Sequence, residues 1–320
     1  MKKIYLPIAF IALFALGFGS AMILKSQNKP AAPLVNIYTQ QKNALPNLRF
    51  TSSVDSTQKV YSISVSGELD FAGERVPLED PDVKERLERE LQLNIYWHSN
   101  TLLAFKTANR FFGEIETTLK ANGVPDDFKF LALIESGLRN DVSPSGAVGF
   151  WQILKPTGKE LGLEINDEVD ERYHFDKSTA AACKYFNDAK AKLGNWTIAA
   201  ASYNLGVGGM QQRVKDQQTN NYYEMFYNPE TSRYVFRILA MKVIFSNIQR
   251  CGFYVHENDL YQPYNFTTVE VDTPIASIAS FAAQYNLKYK HIKILNPWLR
   301  DAGLVNKGRK KYSIKIMQGS

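Results

Sequence analysis

Between residues 81 and 97 apolar side chains recur at every fourth position, Val83, Leu87, Leu91 and Ile95, with Glu and Arg between them. That spacing predicts a helix with one buried stripe. The same reading predicts helices over 101–122, 126–136, 157–161, 177–193, 197–204 and 230–249, so the block 68–255 reads as nearly all α. After Asn265 the period changes. TTVEV and KKYSIKI alternate as strands do and bracket two helical stretches, 275–285 and 289–295, which predicts a small β-α-α-β unit.

Upstream the pattern fades. Residues 25–67 are polar and irregular, with Pro30, Pro33 and Pro46, and read as a linker, although KVYSISVS at 59–66 alternates well enough for a short strand. The first 24 residues differ again: Met1-Lys2-Lys3 precedes an uncharged apolar run, Ile4 to Leu24, that approaches the length of a bilayer span. This segment directs export. Gly19-Ser20-Ala21 offers a small-residue cleavage site, but the run is longer than a signal peptide needs, which favours an uncleaved anchor with the rest outside the inner membrane. The expected organisation is a signal or anchor at 1–24, a linker at 25–67, a helical domain at 68–255 and a small module at 256–320, in the cell envelope.

Composition changes this picture little. An apolar fraction of 45% in 320 residues excludes disorder throughout. The net charge of +6 admits nucleic acid, an anionic membrane or an acidic polymer as partner, and no nucleic-acid motif accompanies the charge, so no nucleic acid is expected. Cys183, Cys251 and the four histidines share no metal-ligand spacing, so no metal is expected, and Cys183, in an Ala-rich helix, reads as a buried thiol.

The chemistry concentrates in PDDFKFLALIESGLRNDVSPSGAVGFWQIL, residues 125–154. Asp126 or Asp127 can cap a helix that Gly137 ends, which puts Glu135 in the last turn. Phe128, Leu131, Ala132 and Glu135 stand at i, i+3, i+4 and i+7, so the carboxyl shares a stripe with three apolar side chains. Apolar surroundings disfavour the charged form, and a carboxyl that holds its proton near neutrality can act as a general acid. From spacing alone, an inward Glu that pairs with a buried Arg or caps a backbone group is an equal reading.

Three further blocks follow: Gly146-Ala147 with Gly149-Phe150-Trp151-Gln152, then Tyr203-Asn204 with Gly206, then Glu230-Thr231-Ser232-Arg233-Tyr234-Val235. With Glu135-Ser136 they resemble, in order, the lytic transglycosylase and goose-type lysozyme superfamily, in its membrane-bound murein transglycosylase D branch. The resemblance spans about 68–255 and implies a mainly α, lysozyme-like catalytic domain. It departs from the family pattern at Ser202, where Ala is usual, at Phe150-Trp151 and at Ser232-Arg233. What it implies is that Glu135 is the catalytic residue and Ser136 supports its helix end. Ser143, Gln152 and the backbone around Phe150 would line the groove, Tyr203 would hold the site near the acid, Asn204 would brace the loop, and Glu230 and Tyr234 would complete the wall. The implied reaction cleaves peptidoglycan glycan strands between N-acetylmuramic acid and N-acetylglucosamine without water and without a cofactor, leaving 1,6-anhydromuramoyl ends. Residues 267–316 resemble a divergent LysM unit, a small glycan-binding fold, through Asp272-Thr273, Ile278-Ala279, Tyr285-Asn286-Leu287 and Leu295-Asn296-Pro297. Two rival readings stand beside this. One is a hydrolytic muramidase using Asp141, Asp170 or Glu230 to activate water, and the other a non-catalytic peptidoglycan-binding protein.

Overall fold

The computed structural model describes residues 49–50 and 61–318. The expected export segment, 1–24, and most of the expected linker lie outside them. Asp80 caps helix α1 (Pro81–Tyr96) by accepting from the Asp82 amide at 2.9 Å, and Val83, Leu87, Leu91 and Ile95 are buried as their spacing requires. Helix α2 (His98–Ala121) follows, then a 3-10 turn at 126–128 that leads into α3 (Lys129–Ser136). The short α4 (Lys155–Glu160), α5 (Phe175–Leu193), α6 (Trp196–Leu205) and α7 (Val207–Gln217) lead to α8 (Pro229–Ser246).

Helix α8 is the axis of the domain. Val235, Phe236, Ile238, Leu239, Val243, Ile244 and Phe245 are all fully buried, an apolar surface too wide for one stripe, so neighbours must cover it on several sides. Phe105 and Phe112 of α2 pack on Phe245, with ring centroids 4.4 and 5.7 Å away, and Phe128 meets Phe186 at 4.5 Å. Helix α7 lies outside the helices expected from sequence, because Gly208-Gly209 weakens the helical pattern and only Met210 is buried on it. Cys183 and Cys251 are free, buried thiols.

Strand β1 (Arg49–Phe50) pairs with β2 (Val65–Ser66), and β3 (Asp70–Phe71) with β4 (Glu74–Arg75) through a two-residue turn with positive φ at Ala72 and Gly73. The strand expected over 59–66 shortens to Val65–Ser66 for a specific reason. The amides of Tyr61 and Ile63 bond side chains of α1, Tyr96 Oη and Gln92 Oε1, instead of a second strand. Ile63 and Val65 are buried in the helical core, so residues expected in the linker pack on the domain.

The C-terminal unit runs β5 (Phe266–Val271), α9 (Ile278–Gln284), α10 (Tyr289–Leu295) and β6 (Tyr312–Met317), with β5 and β6 antiparallel from Phe266↔Met317 to Val271↔Tyr312. Ile278, Ile292, Leu304 and Ile314 form its core, which is continuous with Val148, Val169 and Tyr173 of the helical domain. Residues 257–264, expected with the module, lie on α2 instead: the Tyr261 amide donates to Lys106 O at 3.2 Å, and Leu260 joins the helical core. Among the described residues no helix is long and apolar enough to cross a membrane.

Candidate active site

Gly137 stops α3. It takes the left-handed conformation, φ 61° and ψ 27°, and its amide closes the last turn on Leu133 O at 2.8 Å. Glu135 therefore stands at the open end of a stripe whose earlier members, Phe128, Leu131 and Ala132, are fully buried. The carboxyl is half-buried. From α8 the Tyr234 hydroxyl donates to Glu135 Oε1. Burial is the largest influence on this carboxyl and raises its pKa above the usual 4.5; the Tyr234 hydrogen bond and the Arg237 charge oppose the rise, and the Glu230 charge adds to it. Glu135 is thereby biased toward the protonated acid.

Tyr203, near the end of α6, donates to Trp151 O at 2.7 Å, while its ring packs on Tyr185 and Phe186 with centroids 5.0 and 5.2 Å away. Burial, and then the charge of Glu135, hold the Tyr203 phenol well above its ordinary pKa, and the same two causes act on Tyr234. Both phenols stay neutral, so each can donate a hydrogen bond but neither competes for the proton of Glu135.

Asn204 joins two helices at the edge of the site. Its Nδ2 donates to Glu230 Oε1 at 2.9 Å, and its Oδ1 accepts from Thr231 Oγ1 at 2.8 Å. Glu230, in the first turn of α8, is exposed. Asn228 caps that helix by accepting from the Thr231 amide at 2.9 Å, which fixes the turn that carries Glu230.

The remaining expected residues shape the loop beside the acid. Ser136 is buried and donates to Phe150 O at 2.8 Å, tying the end of α3 to the loop. Ser143 accepts from the Ala147 amide at 3.0 Å, and Gln152, at φ 48°, donates to Gly149 O at 2.9 Å and Asp141 O at 3.0 Å. The Phe150 ring sits edge-on to Phe111 and Phe175, 4.8 and 5.1 Å away. The structure thus gathers Tyr203, Tyr234 and Glu230 around Glu135, while Ser136, Ser143 and Gln152 spend polar atoms on backbone.

Two arginines that sequence reasoning passed over complete the arrangement. Arg237 donates to Ile134 O at 2.8 Å and counts among the charges that act on Glu135. Its signal was its position: Glu230, Tyr234 and Arg237 stand at i, i+4 and i+7 of one helix. Arg172 is buried, holds both oxygens of Asp170 at 3.0 and 2.7 Å, and donates to Gly146 O and Ile153 O, at the two ends of the glycine loop. Asp170 is accordingly committed to Arg172, and Asp141 pairs with Arg139 at 2.8 Å. Glu230, the third carboxylate considered for activating water, adds its charge to the influences that raise the Glu135 pKa.

Residues 114–226 match the transglycosylase SLT domain family, and residues 267–319 match the soluble lytic transglycosylase C-terminal LysM-like domain. Glu135, the glycine loop and Tyr203 fall inside the first match; Glu230 and Tyr234 lie just beyond its end. The chain is 24% identical over 266 residues to membrane-bound lytic murein transglycosylase D of Escherichia coli K12, a match covering 80% of this chain and 57% of that protein. The protein of that name from Escherichia coli O6:H1 matches equally. The chain thus spans little more than half the length of these curated relatives. Among solved structures, an inactive mutant of lytic transglycosylase Slt from Pseudomonas aeruginosa is similar at 21% identity and a TM-score of 0.36, over 47% of this chain and 26% of that one. The chain is thus similar to the transglycosylase SLT domain over its helical part and to the LysM-like domain over its C-terminal unit, in the same order, and to membrane-bound lytic murein transglycosylase D along most of its length.

Proposed function

We propose that this protein is a peptidoglycan lytic transglycosylase in which Glu135 serves as both acid and base. The observation that carries the reading is the Glu135 carboxyl itself, half-buried at the end of an apolar stripe, with its pKa raised by burial and its Oε1 held by the neutral Tyr234 phenol. A paired-carboxylate glycosidase needs a second acid placed across the bond. Here Asp170 and Asp141 are taken up by arginines, and Glu230 is held by Asn204.

In this mechanism protonated Glu135 gives its proton to the glycosidic oxygen between N-acetylmuramic acid and N-acetylglucosamine, and the bond from that oxygen to the muramoyl anomeric carbon breaks. The carboxylate left behind takes the proton of the muramoyl 6-hydroxyl as that oxygen bonds to the anomeric carbon, so the product is a 1,6-anhydromuramoyl end and Glu135 is again protonated. Arg237 and the Tyr234 hydroxyl stabilise the transient carboxylate, so they keep the acid from becoming too weak to donate. Tyr203, Asn204, Glu230 and Tyr234 wall the groove, and Ser136, Ser143, Phe150 and Gln152 form the loop that lines it. Residues 4–24 place the enzyme in the cell envelope, held at the membrane if the segment stays uncleaved.

Digestion of purified peptidoglycan with the wild-type protein and with Glu135→Gln, followed by mass spectrometry of the new glycan ends, tests this. Anhydromuramoyl ends from the wild type alone support it. Reducing ends, heavier by one water, would transfer the role of water activator to Glu230, and binding without new ends would make the protein a non-catalytic binder.

A further inference from the structure

The start of α6 borders a pocket of about 320 Å³ that is also lined by β4 and by the 3-10 turn at 222–224. Asn195 caps α6 there, its Oδ1 accepting from the Ile198 amide at 2.8 Å, whereas Asn204 stands near the other end of the helix and bonds Glu230. About 14 Å of helix therefore separates the pocket from the site around Glu135, which uses none of the pocket's side chains.

Three features define what the pocket can take. The first is an orphan donor. Tyr223 lines the pocket, is only 7% exposed, and its Oη has no hydrogen-bond partner among the described residues. The hydroxyl faces the pocket: after burial, the charge of Glu74 is the next influence that holds the phenol above its ordinary pKa, Thr197 acts in the opposite sense, and both residues line the same cavity. A buried hydroxyl of this kind is completed by an acceptor from outside. The second is charge that is already paired. Glu74 accepts from the Trp196 amide at 2.6 Å and from the amide and hydroxyl of Thr197 at 2.8 and 2.7 Å, and Arg75 pairs with Glu79 at 2.7 Å. A charged ligand would enter without a free counter-charge, at a desolvation cost that a neutral one avoids. The third is spare amide capacity. Asn195 gives one N–H to Asn220 O and Asn221 gives one to Glu224 Oε1, both at 2.8 Å, which leaves each a second N–H, and the exposed Asn220 side chain makes no hydrogen bond among the described residues. No aliphatic side chain lines the pocket, so its ligand has little apolar surface to bury.

We propose that this pocket binds a neutral saccharide: a ring or hydroxyl oxygen accepts from Tyr223 Oη, and neighbouring hydroxyl or acetamido groups pair with the side-chain amides of Asn195, Asn220 and Asn221. Resting on the transglycosylase reading, the saccharide is part of a glycan strand, held at a point apart from the one that Glu135 cuts. Such a hold keeps the enzyme on its polymer after the cut ends leave the groove.

Hydrogen exchange of the full chain carrying Glu135→Gln, so that the ligand is not cut, tests this when read by mass spectrometry over a titration with tri-N-acetylchitotriose and, separately, with its deacetylated, cationic form. The neutral oligosaccharide should slow exchange across 194–198 and 219–224 saturably, and the cationic form should need at least about tenfold more ligand for the same protection. Tyr223→Phe and Asn220→Ala, each added alone, should raise the concentration needed by at least about fivefold, as the loss of one hydrogen bond implies, while any protection of 145–152 in the groove titrates as before. Asn220 is exposed, so its variant keeps the fold even where Tyr223→Phe disturbs it. No protection at 194–198 and 219–224, protection that both variants leave unaltered, or equal protection by the cationic form overturns the proposal. Protection there without anhydromuramoyl ends from the wild type would sink the transglycosylase reading and leave the pocket standing as a saccharide site; those ends without protection would do the reverse.

Discussion

At Glu135 the acid is tuned by opposing influences, and their signs make predictions. Burial raises the pKa of the carboxyl, whereas the Tyr234 hydrogen bond and the Arg237 charge lower it. Because donation requires the protonated form, activity should fall as pH rises through the pKa of Glu135. Tyr234→Phe removes a donor that favours the carboxylate, so the alkaline limb of the pH–rate profile should move to higher pH, and Arg237→Met should move it the same way. A limb that moves to lower pH would show that another group titrates there. Stability carries a linked signature. The folded-state pKa lies above the unfolded one, so the folded protein binds the extra proton between them, and its stability falls as pH rises through that window. Glu135→Gln lacks this loss, so its thermal midpoint should gain on the wild type from below pH 4.5 to neutrality. The stripe Phe128-Leu131-Ala132-Glu135 made this residue legible in sequence, because helical spacing alone puts its carboxyl beside apolar groups. The short-range contacts were less legible. Nothing in the spacing of Ser143 or Gln152 says that their polar atoms turn back to Ala147, Gly149 and Asp141 rather than outward.

Among elements, the glycine loop depends most on its surroundings. At φ 81° Gly149 occupies backbone space that disfavours side chains, and a Cβ there would lie 2.2 Å from Arg172 O. The neighbour is backbone anchored by the Asp170 ion pair, so it cannot step aside. Gly149→Ala should therefore cost about 3 kcal/mol or more, read by urea denaturation, with the loss of activity that follows from displacing the loop tied to Ser136. Gly146→Ala is the control for the same loop. It too has positive φ, 78°, but no atom lies within 4 Å of the added Cβ, so its cost should be the smaller, about 1 kcal/mol of backbone strain. Helices with a strong stripe, such as α1, were readable from period alone. Helix α7 and the short β2 were not: one carries paired glycines and little apolar surface, and the strand competes with α1 side chains for its backbone amides.

On the scale of the whole molecule, the two units share a core rather than a tether. Val169 bridges Leu299, the Asp170 amide donates to Trp298 O at 2.9 Å, and the Arg300 amide donates to Glu168 O at 2.7 Å. Trp298 is the centre of this junction, stacked between His174 of the helical domain, 5.4 Å away, and Tyr312 of β6, 5.5 Å away. Burial holds His174 at a pKa of about 4, so the ring against Trp298 is neutral across the range in which the protein would work. An interface built from backbone bonds, a buried indole and a shared apolar core couples the unfolding of its two sides. The described chain should accordingly melt in one calorimetric transition. Trp298→Ala removes the buried ring, at a cost of about 3–5 kcal/mol for such a truncation, most of it charged to the smaller unit. That unit should then melt first, splitting the transition, while the helical domain keeps its midpoint within a few degrees. A single transition shifted down as a whole would mean that the helical domain cannot stand without its C-terminal partner. The glycine loop, which contributes Val148 to the shared core, would then owe its shape to both.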